Sequence, residues 1–158
     1  MSVTVTATTS TGFVRTMNED SYTTGERIWA VADGMGGRAA GSKASEIAIA
    51  CIQEAEKSSS IDQELIVTLV GRIQQRIHDY AAHHPQAAGL GTTLAGLALV
   101  TLAGKAHWLV FSIGDSRVYR LTNGIFERET HDHCEAQLLF DTGRFPKKNY
   151  ETTLYAMS

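Results

Sequence analysis

IWAVADGMGGRAAGS, residues 28–42, is the stretch on which the reading of this chain turns. An apolar run ends on an acid, Asp33. A turn rich in glycine follows, with Gly34, Gly36 and Gly37, and an alanine-rich helix then begins. Such a strand delivers one carboxylate to the rim of a sheet, beside a bend where backbone can approach a ligand closely. A hard cation and a phosphate are both held in this way, and the stretch alone leaves the choice open.

Outward from it the elements fall in three blocks. Before it, Val3, Val5 and Ala7 alternate with Thr4, Thr6 and Thr8, a period of two that predicts a half-buried opening strand. Residues 21–24 predict a second short strand, Gly25-Glu26-Arg27 a turn, and residues 28–32 a strand apolar enough to be buried on both faces. After it, Ala40, Ala44, Ile47, Ala48, Cys51, Ile52 and Ala55 recur at three and four, predicting a helix over 39–55. A second helix carries Ile61, Leu65, Leu69, Ile73 and Ile77 at every fourth place, with Ile66, Val70 and Tyr80 on the same face. Ser60 is its expected N-cap, Gln63 completes a capping box, and His83-His84-Pro85 ends it.

The third block is β-rich. Residues 92–102 and 106–113 predict a hairpin turning at Gly104-Lys105, residues 117–121 a further strand, and Asn123-Gly124 a turn into Ile125-Phe126. Thr130-His131-Asp132-His133 is read as the cap of a short helix through Glu135, Leu138 and Leu139, closed by Gly143, ahead of the alternative that His131-Asp132-His133 ligates a metal. Strands, two long helices, then strands again argue against βαβ alternation. They predict an α+β fold with antiparallel sheet packed beside a helical pair.

With 158 residues and 43% apolar content, the chain is one domain with a real core. Its net charge of −3 supplies no basic field for nucleic acid or an anionic membrane. Cys51 and Cys134 suit a reducing compartment, no signal peptide or spanning segment is evident, and the expected setting is the cytoplasm.

Three acids each follow a strand-like run and border a turn: Asp20, Asp33 and Asp115. Carboxylates gathered at one rim raise one another's pKa unless a cation neutralises them, and all-oxygen ligation suits Mg²⁺ or Mn²⁺ over zinc. Arg15, just before Asn18-Glu19-Asp20, either grips phosphate oxygens in its planar fork or makes a surface ion pair with Glu19.

Taken together, five motifs resemble the metal-dependent serine/threonine protein phosphatases of the protein phosphatase 2C type, in their compact bacterial form. They are Gly12-Phe13-Val14-Arg15 with Asn18-Glu19-Asp20; residues 31–37, VADGMGG; Gly91-Thr92-Thr93-Leu94; residues 114–119, GDSRVY; and Thr130 with Asp132-His133 and Gly143. The resemblance implies a four-layer α-β-β-α sandwich with a binuclear Mn²⁺/Mg²⁺ centre at one end and a third, weaker site. It implies that Asp33 bridges the two metals, that the Gly34 carbonyl is a ligand, that Asp20 holds metal-bound water, that Asp115 contacts the third ion, and that Arg15 grips the substrate phosphate. A metal-bridging water of lowered pKa then attacks phosphorus in line, with no covalent intermediate.

Phosphorylated proteins, including a serine/threonine kinase and its substrates, are the implied partners. Met35 and Arg38 stand where related branches place histidines, so no side chain is evident for protonating the leaving group. The likeness covers the N-terminal, larger share of the family domain, reaching the start of a flap at residues 144–158, and it does not extend to two downstream aspartates of the metal site. A catalytically weak module that binds phosphoprotein or a kinase is the competing expectation. A nucleotide phosphate cradle at residues 34–41 ranks below both, because neither GxxxxGK[ST] nor GxGxxG is present.

Overall fold

The computed structural model describes residues 2–36 and 40–133 in full and the backbone of residues 152–156. Its elements are β1 (Asp20–Thr24), β2 (Ile28–Met35), α1 (Ala40–Ala55), α2 (Gln63–His83), a 3-10 turn (Pro85–Ala87), β3 (Gly91–Thr92), β4 (Leu94–Leu102), β5 (Lys105–Ile113), β6 (Tyr119–Thr122), β7 (Ile125–Arg128) and β8 (Thr152–Ala156). All strand pairings among the described residues are antiparallel. The main sheet runs β1-β2-β4-β5-β8 with β3 added to β2, and β6-β7 form a separate hairpin. This is the segregated α+β arrangement that the order of elements predicts.

The core lies between the sheet and the two helices. Ile28, Ala30 and Ala32 of β2, Leu94 and Ala98 of β4, and Leu109 and Phe111 of β5 meet Ala48, Ile52 and Ala55 of α1 and Ile66, Leu69 and Ile73 of α2. The face predicted from every-fourth-residue spacing in α2 is the face that packs. The cap, however, is Asp62 and not Ser60: Asp62 is extended, and its side chain accepts from the Leu65 N–H at 2.8 Å. The residue before the cap, Ile61, is drawn into the core with Ile66, a hydrophobic staple that sets the chain's entry two residues later than Ser60 would allow.

Other expectations shift for similar reasons. The alternating segment at residues 3–8 forms no strand, and Val3 and Val5 remain 40% exposed, because among the described residues no sheet edge or apolar surface receives them. Strand β2 is buried on the helix side alone; on the other side Val31 is 50% exposed, since both helices lie on one face. The β4–β5 turn falls at Ala103-Gly104, both with positive φ, one residue before the expected pair, whereas the Asn123-Gly124 turn stands where predicted. The run 92–102 is split at Thr93, since β3 pairs with β2 before β4 begins. Asp132 is 4% exposed, and its carboxylate accepts charged hydrogen bonds from Nε and Nη2 of Arg117, an ion pair that the sequence reading does not foresee. The helix expected after it, the Gly37-Arg38 part of the glycine turn and residues 144–151 lie outside the described residues, while β8 adds an edge strand that no periodicity announced.

Candidate metal and phosphate site

The three acids singled out in the sequence lie along one rim, near enough for Asp20 and Asp115 to act on Asp33 by charge. Asp20 and Asp33 are direct cross-strand partners on β1 and β2, and both sit on the sheet face away from the helices. Like charges placed directly opposite destabilise a sheet, so this pairing is one that folding alone disfavours. Asp115 joins them from the bend after β5, because Leu94 pairs with Ile113 and thereby seats Gly114-Asp115 beside Thr93. Partial desolvation, then the charges of Asp20 and Asp115, push the Asp33 carboxyl above its usual range, and the Arg15 guanidinium pulls the other way. Arg15 is exposed and forms no ion pair with Glu19, so of its two sequence readings the phosphate fork is the one the geometry leaves open.

Local chain geometry explains the glycines. A Cβ on Gly34 would lie 2.0 Å from the Gly41 carbonyl oxygen, and one on Gly41 would lie 2.8 Å from the Gly34 oxygen. Only two bare backbones allow the first turn of α1 to abut the end of β2. The same crossing holds Glu19: its carbonyl accepts from the Gly34 N–H at 3.1 Å and from the buried Ser45 hydroxyl at 2.7 Å. Its carboxylate oxygen Oε1 is buried with no hydrogen-bond partner among the described residues. The sequence offers Glu19 as a surface partner for Arg15 and as part of the Asn18-Glu19-Asp20 motif, with no site role of its own; its place next to Asp20 at the head of a strand, with alternate residues on opposite sides, is the signal that one of the two turns inward.

Asp20 is steadied from the N-terminal segment, where Thr9 bonds both its carboxylate, at 3.4 Å, and the Asn18 amide, at 2.7 Å. An orphaned carboxylate oxygen, a repelled acid pair and an all-oxygen donor set are what a hard divalent cation satisfies. Among the described residues no three acidic, histidine or cysteine side chains converge closely enough to hold an ion unaided, so water, backbone carbonyls or residues beyond these would complete its shell.

The Protein phosphatase 2C profile matches residues 14–138, which takes in every acid of the rim. The chain belongs to the protein phosphatase 2C family. It is 38% identical over 136 residues to the serine/threonine protein phosphatase PstP of Mycobacterium tuberculosis, covering 84% of this chain and 26% of that protein. It is 32% identical over 152 residues to the serine/threonine phosphatase Stp of Listeria innocua, covering 89% of this chain and 59% of that one. The chain therefore spans from about a quarter to three-fifths of the length of these relatives. In three dimensions it matches the catalytic domain of PstP in complex with two manganese ions, with a TM-score of 0.79 and 31% identity over 93% of this chain and 69% of that domain. The protein phosphatase 2C fold is thus this chain's fold, of which the described residues form one helical layer, one sheet and the hairpin β6–β7. No described helix is long and apolar enough to cross a membrane.

Proposed function

We propose that the chain is a metal-dependent protein serine/threonine phosphatase, a phosphoric monoester hydrolase acting on phosphoserine and phosphothreonine. The observation that carries this is the rim itself: Asp33 paired across the strands with Asp20, its carboxyl raised by partial burial and then by the charges of Asp20 and Asp115, with Arg15 in electrostatic reach, in a chain of this family. Asp33, the Gly34 carbonyl and Glu19 Oε1 would hold a binuclear Mn²⁺ or Mg²⁺ centre, Asp20 would orient its water, and Asp115 would serve a third ion. Such ions, when bound, supply a water of lowered pKa and neutralise charge on the phosphoryl oxygens. Arg15 presents its fork to two of those oxygens and turns the phosphorus toward the acids. Asp20, tethered through Thr9, accepts a hydrogen bond from attacking water and aligns it. No described side chain stands ready to protonate the leaving oxygen, since Met35 is apolar and exposed, so solvent donates that proton.

Phosphoproteins, a serine/threonine kinase among them, are the proposed cytoplasmic substrates. The test is Mn²⁺-dependent hydrolysis of p-nitrophenyl phosphate and of a phosphothreonine peptide. Wild-type turnover that Asp33→Asn lowers at least about a hundredfold supports the reading; turnover indifferent to Mn²⁺ or to Asp33 overturns it.

A second reading is favoured by one observation, that no three ligating side chains converge among the described residues. It is a phosphoprotein-binding module of low turnover, and it predicts phosphopeptide binding that depends on Arg15 with no Mn²⁺-dependent hydrolysis.

A further inference from the structure

Strand β4 separates β2 from β5 in the sheet, so no backbone ladder joins the segment that carries Asp33 to the loop that carries Asp115. One hydroxyl does. Thr93 Oγ1 accepts the Asp33 N–H at 3.1 Å and lies 2.5 Å from the Ser116 hydroxyl, and the Thr93 N–H returns to the Asp33 carbonyl at 2.9 Å. A threonine hydroxyl has one proton and two lone pairs, so it can take the Asp33 N–H and still serve Ser116 in either direction. The threonine methyl is also engaged. A Cβ on Gly114 would sit 2.9 Å from Thr93 Cγ2, and Gly114 has φ +87°, so this residue is glycine on both counts. Thr93 is therefore wedged between the residue it bonds on β2 and the loop Gly114-Asp115-Ser116. Two carboxylates that repel will move apart unless their backbones are tied, and this is the tie.

We infer that Thr93 and Ser116 are positioning residues whose hydroxyl pair sets the spacing of the Asp33 and Asp115 carboxylates, and with it the affinity of the rim for divalent cations. The inference rests on the metal reading of that rim. The full chain is compared as wild type, Thr93→Val, which keeps the branched shape without the hydroxyl, Thr93→Ser, which keeps the hydroxyl, Ser116→Ala and the Thr93→Val/Ser116→Ala double variant. Mn²⁺ binding is read by the electron paramagnetic resonance of free Mn²⁺. Thr93→Val and Ser116→Ala should each weaken binding by about tenfold, the loss of one hydrogen bond at a charged site. The double variant should be no weaker than either single one, and Thr93→Ser should keep the wild-type affinity.

Independent, additive losses, or a Thr93→Ser as weak as Thr93→Val, overturn the inference. The link itself is read without metal: in amide NMR spectra Ser116→Ala should shift the Asp33 signal, and an unmoved signal refutes the tie. A wild type that binds no Mn²⁺ would overturn the metal reading and the affinity role with it, while the metal-free spectra still decide whether the two segments are coupled.

Discussion

Asp20 and Asp33 face each other across an antiparallel pair with Asp115 nearby, and Asp33 is held as a weaker acid than usual. That arrangement opposes folding, so it marks a place where stability yields to function. Relieving it should show. Metal-free Asp33→Asn is expected to melt higher than wild type at neutral pH, by up to about 1 kcal/mol or roughly 2–4 °C. Added Mn²⁺ should raise the wild-type midpoint and leave that of Asp33→Asn unmoved, because an ion that binds only the folded rim stabilises by mass action. Scanning calorimetry with and without the ion checks both statements. Asp20, Asp33 and Asp115 were legible from sequence because each follows a strand-like run and borders a turn. Glu19 was not, because a residue next to a strand's first position can face either way until its neighbour, here Gly41 of α1, is placed.

Among elements, α2 is capped by Asp62 and entered through the buried pair Ile61 and Ile66. Asp62→Ala should cost about 1 kcal/mol in urea unfolding, whereas Ser60→Ala, removing a 3.4 Å contact at an exposed site, should cost a few tenths at most. The segment from Gly114 to His133 is closed on itself. Asp132 takes a pair of hydrogen bonds from Arg117, Thr130 Oγ1 accepts the Val118 N–H, and the His133 N–H donates to the Gly114 carbonyl. Hydrogen bonding and charge from Arg117 hold the Asp132 carboxyl below its usual range. The sign follows: a depressed folded value contributes stability above the ordinary carboxylate range of about 4 and loses it as pH falls through the folded value. Melting temperature should thus drop in acid for wild type, and Asp132→Asn should melt lower at pH 7 and lose less on acidification, as read by circular dichroism from pH 7 to 2. Sequence showed Asp132 only as one acid among histidines, since its partner lies fifteen residues back and reaches it through the β6–β7 turn.

At the scale of the whole molecule, the sheet is covered by helices on one face, and its core includes Cys51, a fully buried thiol whose pKa burial raises. Iodoacetamide should therefore modify Cys51 only as fast as the chain unfolds, checked by mass spectrometry of the labelled peptide against denaturant. Leu69→Ala, at the centre of the same core, should cost about 2–5 kcal/mol and release that protection. Much of this architecture was set by the chain alone. Apolar spacing in α1 and α2, glycine at the left-handed turn positions and the order of strands and helices are local properties, because backbone conformation and the face a helix buries depend on near neighbours. Only the tertiary structure decided which edges find partners and which acids share a rim. Residues 3–8 have the alternation of a strand but receive no edge, and Thr93 left its strand to hold Asp33 to Ser116. Those outcomes depend on contacts between segments distant in sequence. For the stretch at residues 28–42, the sequence supplied the acid and the glycines, and the fold supplied what faces them: Asp20 across the strand, Gly41 against Gly34, and Asp115 beyond Thr93.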